Sequence, residues 1–242
     1  MKKHKPLNLL DNKGFWPEKA AVADGIKELL SLGGHEASLP VRDYGLYRSP
    51  EWRDEKNNLR AWQSADWYVY DALDEDRMQV DAQRLLYNLA QEPWRDEKLL
   101  GDHYDLFVIQ EDMFEAEMAE DQKGGTYVVG RCTPFQAAVI STHRIEHIWS
   151  MPYSLIKTEV MRQVCFLFGI PSPARPDVRK ADRHAVYCGN TCILRPAAQA
   201  PDDWMTLTRD RLRFGPLCVQ CEAELRQFFK DCAGEREEAE KC

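Results

Sequence analysis

Two pairs of closely spaced cysteines constrain this chain more than anything else in its 242 residues. Cys188-Gly-Asn-Thr-Cys192 and Cys218-Val-Gln-Cys221 each bring two thiols within about one turn of backbone. Such spacings suit the tetrahedral thiolate coordination that zinc prefers. Gly189 and Asn190 permit the tight turn the first pair needs. A four-cysteine site leaves no open coordination position, so the expectation is one structural zinc per chain, pinning the C-terminal segment to the rest of the fold. The other readings of these residues are four unrelated reduced thiols or a pair of disulfides. Of the remaining cysteines, Cys165 falls in mid-helix and reads as a small core residue. Cys232 and Cys242 have no partner at metal spacing. Grouped cysteines in a chain of this size point to metal ligation and a cytoplasmic setting.

Charge narrows the partners. A net charge of −8 disfavours nucleic acid or a membrane surface, either of which calls for a basic footprint. No apolar run approaches the ~20 residues that cross a bilayer. The opening MKKHKPLNLLDNKGFWPEK carries no apolar signal core, so secretion is not expected.

Periodicity outlines an α+β domain with helices on a small mixed sheet. QVDAQRLLYNLAQE (79–92) and SLIKTEVMRQVCFLFG (154–169) have helical spacing of apolar residues, and GIKELLSLGG (25–34) reads as a short helix stopped by glycine. YDLFVIQ (104–110), TYVVGR (126–131) and QAAVIST (136–142) read as strands. PSPARPDVRKAD (171–182) reads as a proline-rich loop, and EAELRQFFKDC (222–232) as a helix. Residues 1–24 read as a loosely ordered lead-in.

Two patterns offer catalytic chemistry. HRIEH (143–147) matches H-x-x-E-H, an inverted zinc-protease signature that works when both histidines share a helix face. Here His143 follows a strand directly and Pro152 comes soon after, which weakens the case for a helix. Glu222 or Glu224 would have to supply the acidic ligand. A Cys/His pair is the second pattern: Cys132 beside Arg131 is expected to have a lowered pKa, with His143, His147 or His184 as base.

The order of elements resembles the archaemetzincins, a family of zinc metallopeptidases. The resemblance runs through the helix QVDAQRLLYNL, the strands YDLFVIQEDMF and AAVISTHRI, the helix ending FLFGI, and then C-x3-C and C-x2-C. It implies a zincin-like domain over 79–232 that includes the zinc clip. Residues 1–78 then form an N-terminal extension and 233–242 a charged tail. The family carries HExxHxxGxxH, a cysteine pair with a methionine two residues beyond it, and CxxC. Anchoring on Gly169 puts Arg162 and Phe166 at the first two ligand positions and Gln163 at the general base. Tyr187 takes the third ligand position and Leu194 that of the methionine. The loop between Gly169 and Tyr187 is longer than in the family, and the first cysteine pair is one residue closer.

Those replacements exclude a hydrolytic centre at that position. Arg162 is a permanent cation, Phe166 has no lone pair, and Gln163 cannot accept a proton. The chain is therefore expected to be a non-hydrolytic member whose cleft still holds a peptide or protein partner in extended form. Arg162 and Gln163 are the expected ligand-binding residues. They would fill the vacated pocket with hydrogen bonds to Glu159 or to a ligand carboxylate. Changing Arg162 to alanine is expected to spare the fold. A metal-dependent hydrolase using HRIEH is the alternative. A third reading is a structural subunit docking through the tryptophan-rich 49–94 or the acidic 111–121 stretch.

Overall fold

Continuous apolar runs, unlike alternating ones, mark strands covered on both faces. YDLFVI and AAVIS behave that way: every residue of Tyr104–Ile109 and Ala137–Ser141 is buried. The computed structural model describes residues 4–12, 16, 19–34, 39–45, 65–91, 102–115, 126–146, 150–181, 185–197 and 201–239. In chain order the first elements are β1 (Leu7–Asp11), α1 (Lys19–Gly33), β2 (Val41–Gly45), α2 (Ala65–Asp71), β3 (Leu73–Asp74), β4 (Gln79–Asp81) and α3 (Ala82–Gln91). There follow β5 (Tyr104–Ile109), β6 (Met113–Glu115), β7 (Thr126–Tyr127), β8 (Gly130–Thr133), β9 (Ala137–Ser141) and α4 (His143–Glu146). The last are α5 (Pro152–Leu167), β10 (Val178–Ala181), β11 (Ala185–Cys188), α6 (Pro201–Phe214) and α7 (Val219–Ala239).

The main sheet has the order β2-β1-β5-β9-β8. Its first four strands run parallel, and β8 pairs antiparallel to β9 at the edge. Leu29, Ile156, Val160, Val164, Phe228 and Phe229 pack on one face of the sheet, bringing α1, α5 and α7 together there. Tyr68, Val69, Leu85 and Leu89 of α2 and α3 cover the other face with Phe107 and Val139. A smaller sheet, β3-β4-β6-β7, and the hairpin β10-β11 complete a mixed α+β molecule with its cysteine cluster toward the C-terminal end.

Several boundaries differ from the sequence expectation. The lead-in includes β1, which lies between β2 and β5 in the main sheet, and α1 begins at Lys19 rather than residue 25. The 79–92 helix starts later, because Val80 pairs with Met113 in β4. Asp81 then caps α3, its carboxylate accepting from the backbone N–H groups of Gln83 and Arg84. The expected strand at 126–131 is two strands that serve different sheets: β7 pairs with β6, and β8 with β9. Part of the expected proline-rich loop is β10, and the helix at 222–232 extends from Val219 to Ala239, through most of the charged tail. Residues 49–64 and 92–94 of the tryptophan-rich stretch, with Trp52, Trp62 and Trp94, and residues 116–121 of the acidic stretch lie outside the described residues.

Candidate metal centre and the neighbouring cleft

The β10-β11 hairpin delivers Cys188 at its end, and the chain then folds back so that the Cys188 N–H donates to the Leu194 carbonyl at 2.9 Å. That reversal carries Cys192. The Ile193 N–H donates to the Pro216 carbonyl at 3.0 Å, docking the segment that bears Cys218, just before α7, and Cys221 in its first turn. The four Sγ atoms lie within 4.8 Å of one another, and all four are free thiols. Cys188 and Cys218 are 3.7 Å apart and Cys192 and Cys221 3.9 Å. A regular tetrahedron of thiolates around zinc has an edge of about 3.8 Å. The sulfurs therefore fit a tetrahedral metal ion.

Donors from neighbouring residues reach two of the sulfurs. Arg175 Nη1 lies 3.2 Å from Cys221 Sγ and Nη2 3.6 Å from Cys188 Sγ, and the Asn190 backbone N–H donates to Cys188 Sγ at 3.4 Å. Arg175 is itself held by Asp177 and Glu224. A fixed cation and an N–H donor offset the excess negative charge of four thiolates on a divalent ion. A hydrogen bond shared with Cys221 pulls the Cys192 thiol down to about 5 and pushes that of Cys221 up, while burial raises Cys188. Gly189 is required by space: a Cβ there would lie 2.5 Å from the Asp177 carbonyl oxygen.

The three positions that the resemblance assigns to metal ligands converge. The Arg162 guanidinium carbon is 5.3 Å from the centre of the Phe166 ring and 5.5 Å from that of Tyr187. The two rings meet edge-on with centroids 5.7 Å apart. Two of these residues lie one turn apart on α5 and the third comes from β11. The three side chains pack against one another.

Arg162 is not a free cation. It is 6% exposed, and Nη1 donates to the carbonyls of Ile193 and Arg195, each at 3.0 Å. Those carbonyls belong to the stretch just after Cys192, so the residue fastens α5 to the cysteine loop. Against the expectation that its loss would spare the fold, these contacts predict a cost in stability when Arg162 is removed. The Gln163 amide donates to Glu159 Oε1 at 2.7 Å, the bond anticipated from their one-turn separation, and its own oxygen is buried without a donor. Leu194 is fully buried.

The other sequence candidates do not assemble among the described residues. His143 opens α4, a single helical turn, and His147 and His184 lie outside the described residues. Glu224 is taken by Arg175 and the Ser172 N–H, and Glu222 by Arg226. Burial pushes the Cys132 thiol up against the smaller opposing pull of Arg131, the reverse of the expected activation. Among the described residues, the cysteine set is the group of metal-ligating side chains close enough to share an ion. Sequence reasoning missed Arg175, whose link to Cys221 spans 46 residues, and Gly130, whose role depends on β8 lying against α5. No described helix is long and apolar enough to cross a membrane. Comparison with protein-family models, curated proteins and solved structures finds no match for this chain.

Proposed function

We propose that this protein is a non-hydrolytic, archaemetzincin-like binding protein that holds an extended peptide or protein segment against β8, with one structural zinc in the cysteine clip. The observation that carries the reading is the meeting of Arg162, Phe166 and Tyr187 beside four cysteines spaced for a metal. Tyr187 of β11 meets the two α5 residues to which the family's motif assigns the same ion. None of the three present side chains supplies a ligand suited to hydrolytic zinc.

Cys188, Cys192, Cys218 and Cys221 would hold the ion, which would supply cross-linking rather than reaction chemistry. The cation of Arg162 takes the place of the second metal and locks the cleft wall to the clip. Chain pairing would use β8, which has β9 on one side and no strand on the other among the described residues. A net charge of −8 favours a protein partner over nucleic acid or a bilayer. The reduced cysteines suit the cytoplasm.

Metal analysis of the purified protein, paired with a peptide-hydrolysis assay, tests this. One zinc per chain and no turnover are expected. Two zincs per chain, with hydrolysis abolished by His143→Ala, would overturn the reading in favour of the HRIEH site.

A further inference from the structure

We infer that Arg175 is the positioning residue of the cysteine clip: its guanidinium holds one sulfur from each pair, and its charge sets how tightly the site keeps a divalent metal such as zinc. This rests on the metal-clip part of the reading above.

The fork of Arg175 spans the two cysteine segments. Nη1 lies 3.2 Å from Cys221 Sγ at the start of α7, and Nη2 3.6 Å from Cys188 Sγ at the end of β11. Two carboxylates fix that fork. Asp177 accepts from Nε at 2.8 Å and from Nη2 at 2.5 Å, and Glu224 accepts from Nη1 at 3.0 Å. Both are tied in turn, Glu224 by the Ser172 N–H and Asp177 by the Asn190 side-chain amide. The Arg175 side chain is 12% exposed, so little water screens its charge from the sulfurs. The turn that carries the residue is closed by its backbone N–H, which donates to the Ser172 carbonyl at 3.2 Å. That bond survives replacement of the side chain.

Charge gives the side chain its consequence. Four thiolates around a divalent ion leave an excess of two negative charges. Asp177 and Glu224 stand in the same surroundings and add two more. Among the described residues, Arg175 is the cation within hydrogen-bond reach of these sulfurs. Without it, two carboxylates lose their partner beside the thiolates, which costs more than a single missing hydrogen bond.

The test is competitive titration of the full-length protein with Zn²⁺ against a chelator, together with absorption spectra of the Co²⁺-loaded protein. Arg175→Met is expected to weaken zinc binding about 10–100-fold. It is also expected to move the thiolate-to-cobalt charge-transfer band to longer wavelength, because a sulfur without its hydrogen bonds gives up electron density more easily. Adding Asp177→Asn and Glu224→Gln to Arg175→Met is expected to recover part of the affinity. Arg175→Lys keeps the charge without the fork and is expected to fall between Arg175→Met and the unaltered protein. If Arg175→Met does not fold, Arg175→Lys carries the test, and binding equal to that of the unaltered protein overturns the assignment. Zinc binding by Arg175→Met within about twofold of the unaltered protein, or an unmoved cobalt band, overturns the assignment and leaves the clip standing. No recovery on neutralising the carboxylates does the same, since Arg175 would then be only a tie in the loop. Failure of the unaltered protein to bind either ion overturns the clip and this inference together.

Discussion

A guanidinium cannot ligate zinc, but its fixed fork of donors can hold backbone carbonyls. Arg162 spends Nη1 on Ile193 and Arg195 while lying against Phe166 and Tyr187. Removing it strands two carbonyls in a buried position, so Arg162→Ala is expected to cost about 3 kcal/mol in urea denaturation, with Arg162→Lys recovering part of the loss. A change below about 0.5 kcal/mol would show that the contact carries no stability. At the clip, Cys221→Ser is expected to release the metal and destabilise by about 3 kcal/mol or more, because ligand loss removes metal-coupled folding energy. Cys165→Ala, equally buried but not one of the four grouped sulfurs, should keep the metal. The four cysteines were legible because their spacing is local. Arg175 was not: no pattern in the sequence links it to a sulfur 46 residues away.

Legibility follows the same division among elements. The buried strands β5 and β9 and the apolar face of α5 announce themselves through composition and period. LNLLD is too short and too closely flanked by polar residues to declare that it fills the sheet between β2 and β5. The break between β7 and β8 was hidden because both halves of TYVVGR suit a strand, and only the assembled sheets show that they pair differently. The start of α3 did leave a signal, the capping carboxylate of Asp81, and Asp81→Ala should cost about 1 kcal/mol. Gly33 offers a test by sign. Alanine normally stabilises a helix relative to glycine by about 1 kcal/mol. Here its Cβ would lie 2.2 Å from the Phe229 ring of α7. Gly33→Ala is therefore expected to lower the melting temperature, at a cost of about 1–3 kcal/mol; a rise would contradict the α1–α7 packing.

Across the whole molecule, the clip sits where the β10-β11 hairpin, the loop after Cys192 and the start of α7 meet. The same α7 carries Phe228, stacked on Phe168 at 4.4 Å, and Phe229 into the core. Metal removal should therefore act regionally. Treatment with a chelator is expected to raise hydrogen exchange through residues 185–239 while amides of β5 and β9 stay protected. Uniform loss of protection would mean that the clip holds the entire fold, and no change that it binds nothing. We propose that positions 162, 166 and 187 form a former metal site beside the cysteine clip. Its most direct test is the zinc content of the triple variant Arg162→His, Phe166→His, Tyr187→His. One zinc per chain is expected in the unaltered protein and two in the variant. A variant that folds yet still binds only one would contradict it.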